Sequence, residues 1–326
     1  MNVIGIGNAL VDILTQLNDD SVLHRFGLPK GSMTLVDREM SNYIHAETSG
    51  VPKKRTSGGS AANTIHGLAH LGLKTAFIGK VGNDELGRFF RKDMQVNKIK
   101  TILYNSITDT GRAVALVSPD SERTFATYLG ASVELTADDL TADIFSGYNL
   151  LYVEGYLVQN RELIDKALRL ARISGLTVCL DLASYNVVRD NVEFLGELLG
   201  KYVDIVFANE EEAKTLTGLL PDKAIEILAD ICDIAVVKTG AEGSIVMQKD
   251  KKFRINPVKS NPIDTTGAGD LYAAGFIYGL SQNASLPVCG KTGSILAAKV
   301  IELLGAKMDE STWEILRREI HQEMSK

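Results

Sequence analysis

The stretch Asp-Thr-Thr-Gly-Ala-Gly-Asp at residues 264–270 places two acids and several small residues at the start of an apolar, helix-like run. Backbone N–H groups at a helix start have no intrahelical partner and carry partial positive charge. Glycines let such groups approach an anion closely, so Gly267, Ala268 and Gly269 are suited to holding a phosphate. Asp270 would then take a proton from a hydroxyl group that attacks the phosphorus. The pattern equally fits a tight turn in which Asp270 only caps the helix.

A second acidic stretch, Asn-Glu-Glu-Glu at residues 209–212, directly follows a run typical of a buried strand. Three acids in the first turn of a helix suit the helix dipole, which is one explanation. The position is also the carboxyl end of a predicted parallel strand, where α/β sheets bind ligands. Carboxylate and amide oxygens there would hold Mg²⁺, largely through water.

Three other stretches carry polar groups suited to a sugar or a nucleotide. Residues 58–63, Gly-Gly-Ser-Ala-Ala-Asn, again place glycines before a helix, and Asn63 would either bond to hydroxyl groups or cap a plain turn. Asp12 stands in an apolar strand-like run, where it needs either two sugar hydroxyls or protein partners. Thr239 and Gly240 follow another strand and offer hydroxyl and backbone contacts to a nucleotide.

Alternating strands and helices must position these residues. From Leu150 onward, short β-branched segments alternate with amphipathic ones, and Glu162–Ile173 has the i, i+3, i+4 apolar spacing of a half-buried helix. This alternation predicts a three-layer α/β fold with a mainly parallel central sheet and helices on both faces. After Asp270 the pattern predicts helices alone. The predicted strands are Val3–Gly7, Thr75–Gly79, Leu150–Gly155, Leu176–Leu182, Tyr202–Asn209 and Ile234–Gly240.

Residues 14–57 and 100–127 break this alternation with shorter and more polar strand-like pieces, namely SMTLVD, KTILYN, GRAVALVS and RTFATY. Small antiparallel ribbons produce such pieces, whereas parallel crossovers do not. We expect the two regions to pair as one small β-sheet lid. The predicted division is residues 1–13, 58–99 and 128–326 for the α/β core, and residues 14–57 and 100–127 for the lid.

Composition narrows the class of protein. The chain has 326 residues, of which 45% are hydrophobic and 23% charged, and its formal net charge of −6 disfavours nucleic-acid binding. Cys179, Cys232 and Cys289 are far apart and form no CxxC pair, which favours a reducing compartment. No signal-peptide pattern is present, and no apolar run reaches the roughly 18–20 residues of a membrane helix. We therefore expect a cytoplasmic protein without nucleic-acid or membrane partners.

Several common catalytic motifs are absent or incomplete. The P-loop pattern GxxxxGK[ST] does not occur, and GIGNAL at residues 5–10 lacks the third glycine of a dinucleotide fingerprint. His66 and His70 have helical spacing, but Gly67 stands where the HExxH zinc motif needs glutamate. Ser60 lacks the second glycine of a GxSxG elbow. A nicotinamide-dependent oxidoreductase is an alternative that rests on GIGNAL alone.

As a set, these motifs resemble those of the ribokinase-like (PfkB) carbohydrate and nucleoside kinases. DTTGAGDLYAAGFI resembles the family's C-terminal signature, and GGSAANTIHGLAHLGLKTAFIGKVGNDELG resembles its N-terminal signature. NEEE is similar to the Asn-x-x-Glu motif and KTGAEG to the nucleotide-binding turn. GNALVDIL, LPKGSMTLVD and SERTFATYLGAS are most similar to the adenosine-kinase-like branch. GGSAAN is closer to ribokinase, because Ala62 stands where adenosine kinases typically have glutamine.

The resemblance implies a phosphotransferase with an alcohol group as acceptor, and a role for each matching residue. Asp270 would deprotonate a primary hydroxyl, and the amides of Gly267, Ala268 and Gly269 would stabilise charge on the γ-phosphoryl group. The implied acceptor contacts are Asp12, Gly59, Asn63 and Glu154. The implied nucleotide contacts are Asn209, Thr239, Gly240 and Arg123. The implied metal contacts are Glu212 for Mg²⁺ through water, and Asp264 with the Thr266 carbonyl for a monovalent cation.

The resemblance further implies ATP and Mg²⁺ as cofactors, with K⁺ as the monovalent cation. The acceptor would be a ribose-bearing alcohol, above all a nucleoside such as adenosine, with a free sugar as the alternative. The lid would close over the acceptor and exclude water. Members of the family are monomers or lid-mediated dimers, and both states stay open here. A catalytically silent sensor on the same fold is another alternative, although it would not need an intact Asp270.

Overall fold

The computed structural model describes residues 1–120 and 122–325. Ser121, part of the SERTFATYLGAS segment and of the predicted lid, and Lys326, in the predicted core, lie outside the described residues. The strands of the described part, in chain order, are β1 (Asn2–Ile6), β2 (Leu10–Gln16), β3 (Met33–Leu35), β4 (Lys53–Gly58), β5 (Lys74–Gly82), β6 (Ile99–Ser106), β7 (Gly111–Val117), β8 (Arg123–Tyr128), β9 (Leu150–Glu154), β10 (Thr177–Asp181), β11 (Ile205–Asn209), β12 (Ile234–Lys238), β13 (Ser244–Gln248) and β14 (Lys251–Ile255).

The α-helices of the same residues, in chain order, are α1 (Ser21–Arg25), α2 (Arg38–Glu47), α3 (Ser60–His70), α4 (Glu85–Val96), α5 (Arg161–Ile173), α6 (Tyr185–Arg189), α7 (Val192–Tyr202), α8 (Glu210–Thr217), α9 (Pro221–Ile231), α10 (Ala268–Ser281), α11 (Leu286–Val300) and α12 (Glu310–Met324). After Asp270 the described residues form helices and no strands, as predicted. None of these helices combines the length and apolar character needed to cross a membrane.

One large sheet has the strand order β14-β13-β12-β11-β10-β9-β1-β5-β6. The strands from β12 to β6 pair in parallel, and β13 and β14 add an antiparallel hairpin at one edge. Successive side chains point to opposite faces of a strand, so Val3 packs in one hydrophobic cluster and Ile4 in the other. Helices α3, α10, α11 and α12 cover the first face and α5, α7 and α9 the second. The predicted three-layer α/β fold is confirmed.

The second, small sheet has the strand order β3-β8-β7-β2-β4. Its pairing is mixed: β2–β4 and β7–β8 are antiparallel, while β2–β7 and β3–β8 are parallel. The prediction of purely antiparallel ribbons was therefore wrong, although a small sheet does form. Ile13 and Leu116 of this sheet share a hydrophobic cluster with Leu23 of α1 and Ile44 of α2, so short helices cover one of its faces.

The sheet pairings differ from the predicted division of the chain. Strand β6, which contains KTILYN, pairs with β5 at the edge of the large sheet, so residues 100–106 do not belong to the small sheet. An edge strand is partly exposed and tolerates polar residues, which is why it lacked the apolar pattern of a buried strand. Strand β2 begins at Leu10, inside the predicted core, and β8 ends at Tyr128, one position beyond the predicted lid.

The large sheet brings polar residues together at one edge. Strands β1, β9, β10, β11 and β12 are parallel, so their carboxyl ends meet on the same side, where ligands bind in open α/β sheets. The last residues of four of these strands are Glu154, Asp181, Asn209 and Lys238. Only residues 7–9 separate β1 from β2, so the small sheet is attached at this same edge.

Candidate active site

A cleft of about 2270 Å³ is lined by residues from the carboxyl edge of the large sheet and from the small sheet. The predicted site residues that line it are Asp12, Gly59, Asn63, Glu154, Asn209, Glu212, Gly240, Thr266, Gly267, Ala268, Gly269 and Asp270. Thr239, Arg123 and Asp264 are not among the lining residues. The fold thus gathers most of the predicted site from segments that are far apart in sequence.

Asp270 lies in the first turn of α10, against the first turn of α3. The Ser60 hydroxyl donates a hydrogen bond of 2.7 Å to Oδ1 of Asp270, and the Asn63 amide donates one of 3.0 Å to Oδ2. Burial raises the pKa of Asp270 to about 6, even though these two hydrogen bonds act to lower it. The carboxylate is therefore more basic than an ordinary aspartate and still ionised at neutral pH, as a general base requires.

Asn63 and Ser60 contact the carboxylate of Asp270 itself. Asn63 was predicted to bind acceptor hydroxyls, and its Nδ2 is already used by Asp270. Its Oδ1 is buried and has no hydrogen-bond partner. The sequence analysis tested Ser60 only as a nucleophile and missed this contact, because the two helices meet only in the folded chain.

The backbone at the start of α10 forms the candidate anion hole. Gly267 precedes the helix with a φ of +79°, and a Cβ there would lie 2.6 Å from Cβ of Ala306, so the position requires glycine. The Ala268 N–H donates to the Thr265 carbonyl at 3.2 Å. The N–H groups of Gly269 and Asp270 follow in the first turn, where a helix offers no carbonyl partner.

Two charged residues that the sequence analysis did not single out lie beside this helix start. Lys238 Nζ donates a hydrogen bond of 2.8 Å to Oδ2 of Asp181, and both residues line the cleft. Burial lowers the pKa of Lys238, but attraction by Asp181 and Glu212 outweighs it, so the net shift is upward and the side chain stays charged. The sequence positions of Asp181 and Lys238 could have indicated them as site residues, since each ends a parallel strand at the edge where ligands bind.

Asn209 and Glu212 satisfy each other at the start of α8. Asn209 Oδ1 accepts from the Glu212 N–H at 2.8 Å, while Glu212 accepts from the N–H and Nδ2 of Asn209 at 2.8 and 2.7 Å. Burial and the nearby Asp181 raise the pKa of Glu212 to about 7. Among the described residues, no group of three or more His, Cys, Asp or Glu is arranged to hold a metal directly. The donor set fits Mg²⁺ held through water and phosphate oxygens.

Glu154 organises the backbone around the cleft. Its Oε1 accepts from the N–H and the Nδ2 of Asn8, both at 2.7 Å, and its Oε2 accepts from the Ala61 N–H at 2.9 Å. Burial raises its pKa to about 7. Gly59, beside Ala61, has a φ of +99°, and a Cβ there would collide with the Asn8 carbonyl. Both carboxylate oxygens are thus occupied by the turn after β1 and the start of α3.

Asp12, on β2 of the small sheet, lines the cleft. Burial raises its pKa to about 7, and the ammonium group of Lys307 partly offsets this. The neighbouring negative charges of Asp270 and Asp264 act in the same direction as burial. A carboxyl group in this setting gains from hydrogen-bond donors such as ligand hydroxyls.

Arg123 and Asp264 connect the small sheet to the core. The guanidinium of Arg123 on β8 forms an ion pair with Asp264 in the loop before α10, and it also donates to the Ile263 carbonyl at 3.1 Å. Asp264 further accepts from the N–H groups of Thr266 and Gly305, at 2.8 and 2.5 Å. Burial raises the pKa of Asp264, but Arg123 and the backbone donors outweigh it, and the net shift is downward. In this arrangement the Asp264 carboxylate is already neutralised and does not fit a further cation.

Thr239 and Gly240 form a tight turn between β12 and β13. The Thr239 N–H donates to the Gly243 carbonyl at 2.8 Å, and its carbonyl accepts from the Glu242 N–H at 3.0 Å. Gly240, at the tip of this turn, lines the cleft, while Thr239 is buried behind it. The antiparallel hairpin of β13 and β14 that follows was not predicted.

The small sheet contributes an apolar wall to the cleft, formed by Met33, Leu35 and Phe125. Met33 and Leu35 on β3 are 56% and 58% exposed, and their spacing of two residues places them on the same face of the strand. Concave sites lined by apolar groups with a few convergent polar groups are typical of small-molecule binding.

Comparison with known proteins identifies the class of enzyme. A family model described as pfkB family carbohydrate kinase matches residues 39–313. A 5-dehydro-2-deoxygluconokinase from Clostridium perfringens is 31% identical over an alignment of 289 residues, and the match covers 82% of this chain and 84% of that protein. The protein is therefore a phosphotransferase with an alcohol group as acceptor. More particularly, the chain belongs to the pfkB family of carbohydrate kinases.

Solved structures extend the comparison over nearly the whole chain. An adenosine kinase from Sinorhizobium meliloti is 36% identical, covers 98% of this chain and 99% of its own, and superposes with a TM-score of 0.87. A probable sugar kinase from Rhizobium etli is 33% identical, covers 98% of both chains and has the same TM-score of 0.87. The family implies ATP as the phosphoryl donor, and the acceptor is a sugar or a nucleoside.

Proposed function

We propose that this enzyme transfers the γ-phosphoryl group of ATP to the primary hydroxyl group of a nucleoside such as adenosine. The observation that carries the nucleoside assignment is the apolar wall of Met33, Leu35 and Phe125 in a cleft that polar residues such as Asp12 and Asn63 also line. A flat base buries apolar surface against such side chains, whereas a free sugar presents hydroxyl groups in most directions. The similarity to the adenosine kinase of Sinorhizobium meliloti supports the same assignment.

The proposed reaction uses Asp270 as general base. Its carboxylate accepts the proton of the acceptor's primary hydroxyl, whose oxygen attacks the γ-phosphorus while the bond to the bridging oxygen of ADP breaks. The backbone N–H groups of Gly267, Ala268 and Gly269 would stabilise the charge that develops on the transferring group, with the Ala268 N–H turning from the Thr265 carbonyl to the phosphoryl oxygen. One donor lost from such a hole typically costs about 3–4 kcal/mol of barrier. Asn63 and Ser60 keep the base oriented.

The remaining predicted residues bind and orient the reactants in this proposal. Asp12 accepts from ribose hydroxyl groups, while Gly59 and Glu154 shape the backbone that meets the acceptor. Gly240 borders the nucleotide, with Thr239 holding its turn. Asn209 and Glu212 would hold Mg²⁺ through water, and the ion, when bound, offsets negative charge on the phosphates.

The ion pair between Arg123 and Asp264 bears on how a monovalent cation would bind at Asp264. A K⁺ ion held by Asp264 and the Thr266 carbonyl, as the family resemblance implies, requires that Arg123 first leave Asp264. The same movement would free Arg123 to reach the nucleotide phosphates. We propose that lid opening or closing switches Arg123 between these two partners.

A sugar kinase is the second candidate. It is favoured by the GGSAAN segment and by the kinases of sugars and sugar acids among the relatives. The polar residues Asp12, Asn63 and Asn8 in the cleft would serve a free sugar as well as a ribose.

A coupled assay of ADP release separates the two candidates. Purified enzyme with ATP and Mg²⁺ is offered nucleosides, free hexoses and pentoses, and sugar acids, and the product is confirmed as a phosphate ester by mass spectrometry. We expect turnover with a purine nucleoside and an Asp270→Asn variant that is inactive with the same compound. Activity with free sugars or sugar acids but with no nucleoside would show the nucleoside assignment to be wrong.

We also propose a cytoplasmic location for the enzyme. ATP is abundant there, and Cys179, Cys232 and Cys289 are free and buried, which suits a reducing compartment. Fractionation of the native cells tests this proposal, since recovery in an extracellular or membrane fraction contradicts it.

A further inference from the structure

We propose that Lys238 is a catalytic residue, whose ammonium group leaves Asp181 when ATP binds and contacts the γ-phosphoryl group during transfer. The KTGAEG segment begins with Lys238, but the family resemblance assigned this residue no role, and the inference rests on ATP as the phosphoryl donor. It concerns the donor side of the cleft alone, so it does not depend on which acceptor is used.

The position of Lys238 places its charge at the candidate anion hole. A Cβ on Gly269 would lie 3.0 Å from Lys238 Nζ, so the ammonium group sits directly beside the first turn of α10. A phosphoryl group held by the N–H groups of that turn would lie within reach of the same nitrogen. Gly269 therefore does two things: it lets backbone approach the phosphate, and it leaves room for the lysine.

Lys238 differs from the other cations of the cleft. Among the described residues that line it, the cations are Arg161, Lys238 and Lys259. Arg161 and Lys259 are exposed, and the guanidinium of Arg161 lies over the Phe194 ring, 4.7 Å from its centroid. The side chain of Lys238 is only 15% exposed, and its upward pKa shift keeps it charged there.

The charge balance of the site gives Lys238 a reason to change partners. The carboxyl groups of Asp181, Glu212 and Asp270 all act on its ammonium group, so negative charge already exceeds positive charge around Lys238. A triphosphate adds more. A phosphoryl group carries more negative charge than one carboxylate. The ammonium group of Lys238 is therefore attracted more strongly by the incoming phosphate than by Asp181.

A purely structural explanation is that the ion pair only ties β10 to β12 across β11. Buried ion pairs often contribute little net stability, because desolvation offsets the attraction. The chain provides a matched control: Lys80 forms a 3.1 Å ion pair with Asp139, with side chains 16% and 19% exposed, and neither residue lines the cleft. Substitution of Lys80 therefore shows how much stability and activity are lost when a comparable ion pair without a proposed role in catalysis is removed.

The test compares Lys238→Met, Lys238→Arg and Lys80→Met with the wild type. Isothermal titration calorimetry gives the Kd of ADP and of a non-hydrolysable ATP analogue, and thermal unfolding reports folding. We expect Lys238→Met to raise the Kd of the ATP analogue about 10-fold or more and to change the Kd of ADP little. The reason is that a hydrogen bond to a charged group is lost only at the γ-phosphate. Turnover should fall by about 10²-fold. Lys238→Arg should recover part of the preference for the ATP analogue, and Lys80→Met should change neither the preference nor turnover.

The outcomes separate this inference from the proposed function. The inference is overturned, and Lys238 has a structural role, if Lys238→Met weakens the binding of ADP and of the ATP analogue equally or leaves the preference between them unchanged. The inference is also overturned if Lys80→Met changes nucleotide preference and turnover as much as Lys238→Met does. If the wild type binds neither nucleotide, ATP as donor and this inference both fall. Failure to find a nucleoside acceptor leaves the nucleotide comparison valid.

Discussion

The Asn63 amide donates a 3.0 Å hydrogen bond to Oδ2 of Asp270, and this contact joins the first turns of α3 and α10. The other amide atom of Asn63, Oδ1, is buried without a partner. If the Asn63 amide turns over, Oδ1 accepts a hydrogen bond from a protonated Asp270 or from an asparagine at that position. The pair would therefore hold the Asp270 carboxyl group in either protonation state, which suits the general base that we propose Asp270 to be.

The first prediction concerns the base itself. Asp270→Asn should lower kcat by about 10²–10⁴-fold, because the amide cannot accept the acceptor's proton. Nucleotide affinity should change little, since the backbone donors of α10 remain. Steady-state kinetics and calorimetric nucleotide binding check both parts. A variant with near-normal kcat would remove Asp270 from the proposed mechanism.

The second prediction is the pH dependence of activity. Because the pKa of Asp270 is raised to about 6, kcat/KM should be level above about pH 7 and fall as acid protonates the base. Asp12, whose pKa is raised to about 7, titrates in the same range. Because we propose that Asp12 binds the acceptor, its protonation should move the midpoint of the kcat/KM profile to higher pH. The rate profile of an Asp12→Asn variant separates the two groups. A profile that stays level well below pH 6 would contradict the assignment.

The third prediction is a gain in stability from Asp270→Asn at neutral pH. The folded pKa of Asp270, about 6, lies above its ordinary value of 3.8, so the folded state binds the proton more tightly. By linkage, this group lowers stability above about pH 6, and the loss is progressively relieved as pH falls towards 4. The variant should therefore unfold a few degrees higher than the wild type at about pH 7.5, and the difference should shrink at about pH 4.5. Thermal unfolding at both pH values measures this, and a variant less stable at neutral pH contradicts it.

The fourth prediction addresses the Arg123–Asp264 ion pair. Arg123→Met leaves the Asp264 carboxylate without its guanidinium partner, so a monovalent cation becomes the natural replacement. We expect the variant to be activated by K⁺ more strongly than the wild type, with Na⁺ and choline salts as ionic-strength controls. Equal activation of both proteins by K⁺ would mean that Arg123 has already left Asp264 in the working enzyme.

The fifth prediction tests the apolar wall. Leu35→Gln places a polar side chain where we propose that the base packs, and it should raise KM for the nucleoside about 10-fold while kcat changes little. KM for ATP should be unaffected. Because Leu35 is 58% exposed, the substitution should leave thermal unfolding close to that of the wild type. A lower kcat with unchanged KM would place Leu35 elsewhere in the mechanism.

Much of the fold was predictable from the sequence because its signals are local. Apolar runs of β1, β9, β10, β11 and β12 alternate with amphipathic helices, and each such element shows its own periodicity whatever surrounds it. Strand β6 was misassigned, since an edge strand buries less and carries a weaker pattern, and the β13–β14 hairpin at the other end of the sheet was missed. The glycine-acid segment before α10 and the Asn209–Glu212 capping box are local too, and both lie at the cleft.

The sequence by itself determined the layered α/β core and the residue types available for phosphoryl transfer. Only the tertiary structure decided which group each polar side chain meets: Asp264 meets Arg123, Lys238 meets Asp181, and Glu154 meets backbone N–H groups. These partners come from elements far apart along the chain, brought together when two sheets and their helices pack. Local periodicity carries no record of such pairings, because they depend on the relative placement of whole elements.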